Sequence, residues 1–196
     1  MLRCLGYPEG REPPPRVAAR LDASMAEARA LIRARGTWRA WPVDRAADVG
    51  LQRAEAKGLV LGLITLGPAL EARAEALQAA GHGSDALLLD ACGSAAAEEA
   101  ADLLGARIAG APVEGSVGTV GCRLSPGFGA WALTAQPALL AALDAEALGV
   151  RLSPGLMMIP RKSISFAQWL GAAAPPAPGL GGCQACGLPR CRYRKV

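Results

Sequence analysis

The amino-acid sequence predicts an α+β fold: a single mixed domain in which an antiparallel-rich sheet is flanked by helices, followed by a flexible C-terminal cysteine tail. Three observations carry this expectation. The chain has 196 residues, enough for one domain with a real core and too few for a multi-domain enzyme. Strand-like runs and helical periodicities occur together without the steady βαβ alternation of a doubly wound sheet. The composition then changes at Gly171-Ala-Ala-Ala-Pro-Pro-Ala-Pro-Gly-Leu-Gly-Gly182, which reads as a linker. The expected boundaries are 1–170 for the domain, 171–182 for the linker and 183–196 for the tail. No internal repeat is visible.

Each element has its own signal. A proline run, Pro13 to Pro15, precedes a helical pattern with Val17, Leu21, Met25, Leu31 and Ile32 near one face. Thr37 to Val43 reads as extended. Leu59-Val-Leu-Gly-Leu-Ile-Thr-Leu66 suits a buried strand that ends in Gly67-Pro68, and the proline suits the first turn of a helix. That helix carries Leu70, Ala74 and Leu77 and stops at Gly81. Ser84 reads as the N-cap of a helix over 85–104, with a stripe of Leu88, Cys92, Ala95, Glu99 and Leu103 and a stop at Gly105. Cys122 to Gly129 is turn-rich. A further helix, capped by Thr134, carries Leu139, Leu140, Leu143 and Leu148 and closes at Gly149. Arg151 to Phe166 reads as two extended pieces broken at Pro160.

Hydrophobic residues make up 52% of the chain, and much of that is alanine, so the expected core is helix-rich and lightly aromatic. The net charge of +4 does not point to nucleic acid, because Arg and Lys are spread among Asp and Glu. Only Arg190, Arg192, Arg194 and Lys195 cluster, and they read as a solvated tail. No apolar run reaches the ~18 residues of a membrane span. The N-terminus lacks the apolar stretch of a secretory signal. A cytoplasmic protein without a membrane partner is expected, and its six cysteines then read as thiols or metal ligands rather than disulfides.

Three features suggest chemistry. Glu99 falls where the helical period places the buried stripe, and a buried carboxylate needs a cationic or hydrogen-bonding partner. It either lies at the stripe's edge and reaches water, or faces a ligand's ammonium group or an arginine. In Arg123-Leu-Ser-Pro-Gly-Phe128, Arg123 can clamp a carboxylate with two parallel hydrogen bonds. Pro126 fixes the loop, Gly127 opens its backbone to a ligand, and Phe128 offers a π-face to a cation such as a sulfonium. An ordinary surface turn is the competing reading. Cys183, Cys186 and Cys191 lie within nine residues beyond the linker, which suggests zinc or iron–sulfur ligation with a fourth ligand from Cys4, Cys92, Cys122 or outside. There is no phosphate loop and no dinucleotide-binding glycine motif. His82, the one histidine, reads as an exposed loop residue.

Taken together, several segments resemble the activation (reactivation) domain of cobalamin-dependent methionine synthase. Arg123-Leu-Ser-Pro-Gly-Phe is similar to that family's Arg-x-x-x-Gly-Tyr motif for S-adenosylmethionine, with Phe128 in place of tyrosine. A helix follows, as in the family, and then Gly149-Val-Arg-Leu-Ser-Pro and Met157-Met-Ile-Pro-Arg-Lys-Ser-Ile-Ser165. Ala86 to Asp102 resembles the long helix whose glutamate, Glu99 on this alignment, lies at the S-adenosylmethionine site. Leu5-Gly-Tyr7 and the terminal Cys-x2-Cys-x4-Cys-x-Tyr-Arg resemble short, free-standing members. The resemblance implies an S-adenosylmethionine-binding subunit that supports reductive remethylation, with Glu99, Arg123, Pro126, Gly127 and Phe128 at the ligand. No D-x-H-x-x-G cobalamin motif is present, so the cobalamin is expected on a partner corrinoid chain, with a separate electron donor. The competing classes are a non-catalytic scaffold subunit of a corrinoid protein and an iron–sulfur electron-transfer partner.

Overall fold

A computed structural model describes residues 5, 7, 10, 12–51, 56–111, 121 and 123–171. Cys4, Cys122, the tail cysteines, the terminal basic cluster and the linker beyond Gly171 lie outside the described residues.

The fold is built on a three-stranded antiparallel sheet of order β1-β2-β5, with β1 at Arg35–Trp41, β2 at Gly58–Thr65 and β5 at Ser163–Leu170. The expected α+β class and antiparallel sheet are found. Strand β2 is central and every residue in it is buried, which explains why it reads as a continuous apolar run rather than an alternating one. Its two faces serve different layers. Leu59, Leu61 and Leu63 join Ala167 and Trp169 of β5 in a core that also holds Val49, Trp131, Leu139 and Leu140. Val60 and Ile64 join Phe166 and Leu170 against Ala97, Ala101 and Ile108.

Those last three belong to α3, Gly83–Ala109, the long helix that covers one face of the sheet. Helix α1, Pro15–Leu31, and helix α2, Ala69–Ala79, pack beside it around Leu21, Leu70, Leu77, Leu88, Leu89 and Cys92. Proline opens α1 as the sequence suggests, and α2 runs between Pro68 and Gly81, which takes φ +81°.

Three expectations for α3 and its neighbours are corrected. The helix passes through Gly105 and ends at Ala109, because Gly105 is buried against Gln168 rather than punctuating the chain. Ser84 lies inside the helix and makes no side-chain cap; its hydroxyl accepts from Arg20 at 2.8 Å. The expected stripe holds at Leu88 and Cys92, but beyond them the buried positions are Gly93, Ala97, Ala101, Gly105 and Ile108, so Glu99 is exposed and Leu103 is 62% exposed. His82 is exposed, as expected.

The segment read as one helix from Thr134 to Gly149 is two short ones. A 3-10 turn at Leu133–Ala135 leads into α4, Gln136–Ala142, and a second 3-10 turn covers Ala145–Leu148. Asp144 breaks the run by adopting φ 51°, a left-handed conformation that Asp tolerates better than most residues. Leu139, Leu140 and Leu143 still reach the core. Beyond Gly149 there are three extended pieces rather than two. β3 at Arg151–Leu152 pairs with β4 at Met158–Ile159, and the break at Pro160 separates them from β5. Among the described residues, no helix is long and apolar enough to cross a membrane.

Candidate ligand site at Arg123

Arg123 is placed by the sheet. Leu124 and Ala167 exchange backbone hydrogen bonds of 2.9 and 2.8 Å, and Gly121 N–H donates to the Trp169 carbonyl at 2.8 Å. Gly121 and Leu124 therefore lie along the outer edge of β5. The loop then turns sharply. Phe128 N–H donates to the Ser125 carbonyl, and Gly127, at φ +88°, donates to the Trp131 carbonyl at 2.8 Å. Trp131 is buried and its indole N–H donates to the Val49 carbonyl at 2.8 Å, so the loop is pinned to the core at its far end. Pro126 is buried, Gly127 is exposed and the Phe128 ring is 74% exposed. The loop is thus anchored, with its aromatic ring held out in solvent.

The Arg123 guanidinium points back toward α3. Its Nη2 donates to Glu98 Oε2 at 2.9 Å and to Asp102 Oδ1 at 2.8 Å. Its central carbon lies 5.6 Å from the centroid of the Phe166 ring, within cation–π range. That ring occupies space opened by Gly62, where a Cβ would fall 2.4 Å from a Phe166 ring atom. Gly105 opens space in the same way, since a Cβ there would stand 3.4 Å from Gln168 Oε1 and 3.8 Å from Arg123 Cδ. The Gln168 amide donates to the Gly121 carbonyl at 3.3 Å, while its Oε1 is buried with no hydrogen-bond partner among the described residues. A buried amide oxygen without a partner is costly.

Of the residues expected at the ligand, Arg123, Pro126, Gly127 and Phe128 share this one loop. Glu99 lies on the neighbouring turn of α3 and is exposed; the carboxylates that reach Arg123 are those of Glu98 and Asp102. Sequence reasoning missed both, together with Phe166 and Gln168. A signal was present in the spacing Asp90, Ser94, Glu98, Asp102, a four-residue repeat that places them along one line of a helix.

The other end of that line meets a second cation. Lys162 Nζ lies 2.7 Å from Asp90 Oδ1 and donates to Ser94 Oγ at 2.9 Å. The Lys162 backbone N–H donates to the buried Glu71 at 2.6 Å, and Glu71 also sits 3.5 Å from Arg161. Among the described residues, no cluster of three His, Cys, Asp or Glu side chains offers a metal site. Burial pushes the Cys92 thiol up, which disfavours the thiolate that a metal needs.

No protein-family model and no curated protein matches the chain. Among solved structures, the fold is similar to that of the MetH reactivation domain bound to AdoHcy, with a TM-score of 0.66 and 15% identity over 90% of this chain and 74% of that one. At this identity the likeness establishes a shared fold.

Proposed function

We propose that the chain is an S-adenosylmethionine-binding activation subunit that supports reductive remethylation of a corrinoid held by a partner, a methionine synthase or a related methyltransferase. The observation that carries this reading is the fold shared over 90% of the chain with a reactivation domain bound to AdoHcy. The Arg123 loop supports it. Both ion pairs of Arg123 fall on Nη2, the nitrogen shared by both bidentate edges of a guanidinium, so in this reading the ligand's carboxylate displaces Glu98 or Asp102 to accept two parallel hydrogen bonds. The Pro126-Gly127 backbone lines the ligand, and Phe128 presents its face to the sulfonium. Glu99, together with Glu98 and Asp102, faces the ligand's cationic groups.

In this reading the corrinoid supplies the cobalt chemistry, and the present chain positions the methyl donor and balances its charge. A separate protein supplies the electron. Cys183, Cys186 and Cys191 hold zinc or an iron–sulfur cluster, and the protein works in the cytoplasm. One observation favours a scaffold subunit instead: Arg123 is already ion-paired on α3. Calorimetric titration with S-adenosylmethionine, with and without a corrinoid partner, separates the two. Saturable binding at one site per chain is expected, and its absence would leave only the scaffold. Iron and zinc analysis of anaerobically purified protein tests the tail, and neither metal at a substantial fraction of one site per chain would remove the metal centre.

A further inference from the structure

We propose that the open edge of β1 is a homodimer interface, where a second copy of this chain adds its own β1 antiparallel and joins two three-stranded sheets into one of six strands. The proposal does not depend on the ligand reading. It begins from the unequal edges of the sheet. The β5 edge is covered, since Gly121 and Leu124 hydrogen-bond to Trp169 and Ala167 along it. The β1 edge is not: among the described residues, β1 pairs with β2 alone. Burial agrees. Strand β2 is buried throughout, whereas five of the seven residues of β1 are exposed. Two of those five are Gly36 and Ala40, so much of what meets solvent there is the backbone itself. An open strand edge is a template for another strand.

The pattern of charge favours a second copy over a foreign strand. Arginines on an edge repel a neighbour that sets its own arginines opposite them, and β1 carries two, Arg35 and Arg39. A two-fold axis perpendicular to the sheet keeps the faces of the two strands matched, so it passes through a residue paired with its own copy. With the axis at Trp38, all seven residues pair: Arg35 faces Trp41, Thr37 faces Arg39 and Trp38 faces its copy. No arginine then faces an arginine. Moving the axis to Thr37 sets Arg35 against Arg39, and moving it to Arg39 sets that residue against its own copy. Like charges directly opposite are unfavourable. The strand is therefore self-complementary in its full-length register. Trp38 suits the axis for a second reason. It is 37% exposed and shares a strand face with Gly36, where an added Cβ would meet Leu104 of α3 at 3.6 Å. The Trp38 pair thus lies on the α3 side of the joined sheet, and each indole gains cover from the other. Arg123 lies beside β5, at the far edge, so both candidate ligand sites stay open in the dimer.

The test is sedimentation velocity of the full chain at rising concentration, up to about 100 µM. Wild type is expected to pass from monomer to dimer within that range. Trp38→Glu and Trp38→Lys each set like charges on the axis and are expected to weaken dimerisation by roughly tenfold or more. Mixing the two variants is expected to restore a dimer, because Glu then faces Lys. Misfolding cannot produce that rescue. Hydrogen exchange of the unmodified chain gives a reading free of substitution: protection of residues 35–41 is expected to rise with concentration. Wild type that stays monomeric overturns the proposal and leaves the edge to a strand of another protein. A dimer that neither charge variant weakens overturns it. So does a mixture that stays monomeric while both variants keep the wild-type far-UV spectrum. A dimer that forms without added protection at 35–41 overturns it as well.

Discussion

Lys162 and Arg123 are both held by acidic residues on one line of α3, yet the two places are built differently. Around Lys162 the donors and acceptors are matched. Asp90, itself 47% exposed, and Ser94 take the ammonium, Glu71 takes the backbone N–H, and the Lys162 and Glu71 side chains are each 11% exposed. Around Arg123 two half-exposed carboxylates share one nitrogen, and the buried Gln168 Oε1 has no hydrogen-bond partner among the described residues. The buried Glu71 contact fixes α2 against the start of β5. Arg123 instead meets both of its carboxylates through one nitrogen beside a turn-rich loop. The burial of the Glu71 contact marks one end as a joint, and the exposed loop beside Arg123 marks the other as a candidate binding site.

Substitutions at the two ends should separate these roles. The largest expected effect is at Gly62, which underlies the Arg123 end. Gly62→Ala would drive a methyl group into the Phe166 ring and cost ~2–3 kcal/mol, read from the denaturant midpoint. Next comes Glu71→Ala at the enclosed end. It orphans the Lys162 backbone N–H and should cost ~1–3 kcal/mol in stability while leaving ligand affinity unchanged. Arg123→Ala should show the opposite profile, weakening S-adenosylmethionine binding by ~1.5–3 kcal/mol in calorimetry. Its thermal midpoint should move little, since its partners are half in water. Equal losses of stability at Glu71 and Arg123 would erase the distinction. The smallest effect is at Glu99, where Glu99→Gln should stay within ~0.5 kcal/mol by thermal denaturation, because the residue is exposed. A change in ligand affinity there would show that its carboxylate faces the ligand.

What the sequence made legible depended on contrast. Strand β2 stands out because Leu, Val and Ile fill it, and helix α2 because Gly67-Pro68 and Gly81 bracket it. The face of α3 has no such contrast. It buries Gly93, Ala97, Ala101 and Gly105, which differ little in hydropathy from the alanines on the exposed side. The bulky Leu103 therefore drew the stripe onto the wrong flank, and the acidic residue noticed was Glu99 instead of its neighbour Glu98. Gly105 carries a local stop signal worth about 1 kcal/mol, which the contact with β5 overrides. The Arg123 loop was legible because proline and glycine announce turns locally. Its partners were not, since Phe166 and Gln168 arrive from a strand more than forty residues later.

The buried small residues of α3 have a consequence for how this protein tolerates change. Gly93, Ala97, Ala101 and Gly105 recur every four residues and let the helix lie close to its neighbours. A Cβ on Gly93 would stand 2.7 Å from Leu70, and one on Gly105 would press on Gln168. Enlarging any of them would lift the helix, and Glu98 and Asp102 would move with it, away from Arg123. In a saturating mutational scan scored for ligand binding, the sensitive map should therefore extend beyond the charged side chains. It should include a row of positions that carry no functional atoms, where the acceptable alphabet is reduced to glycine, alanine and occasionally serine.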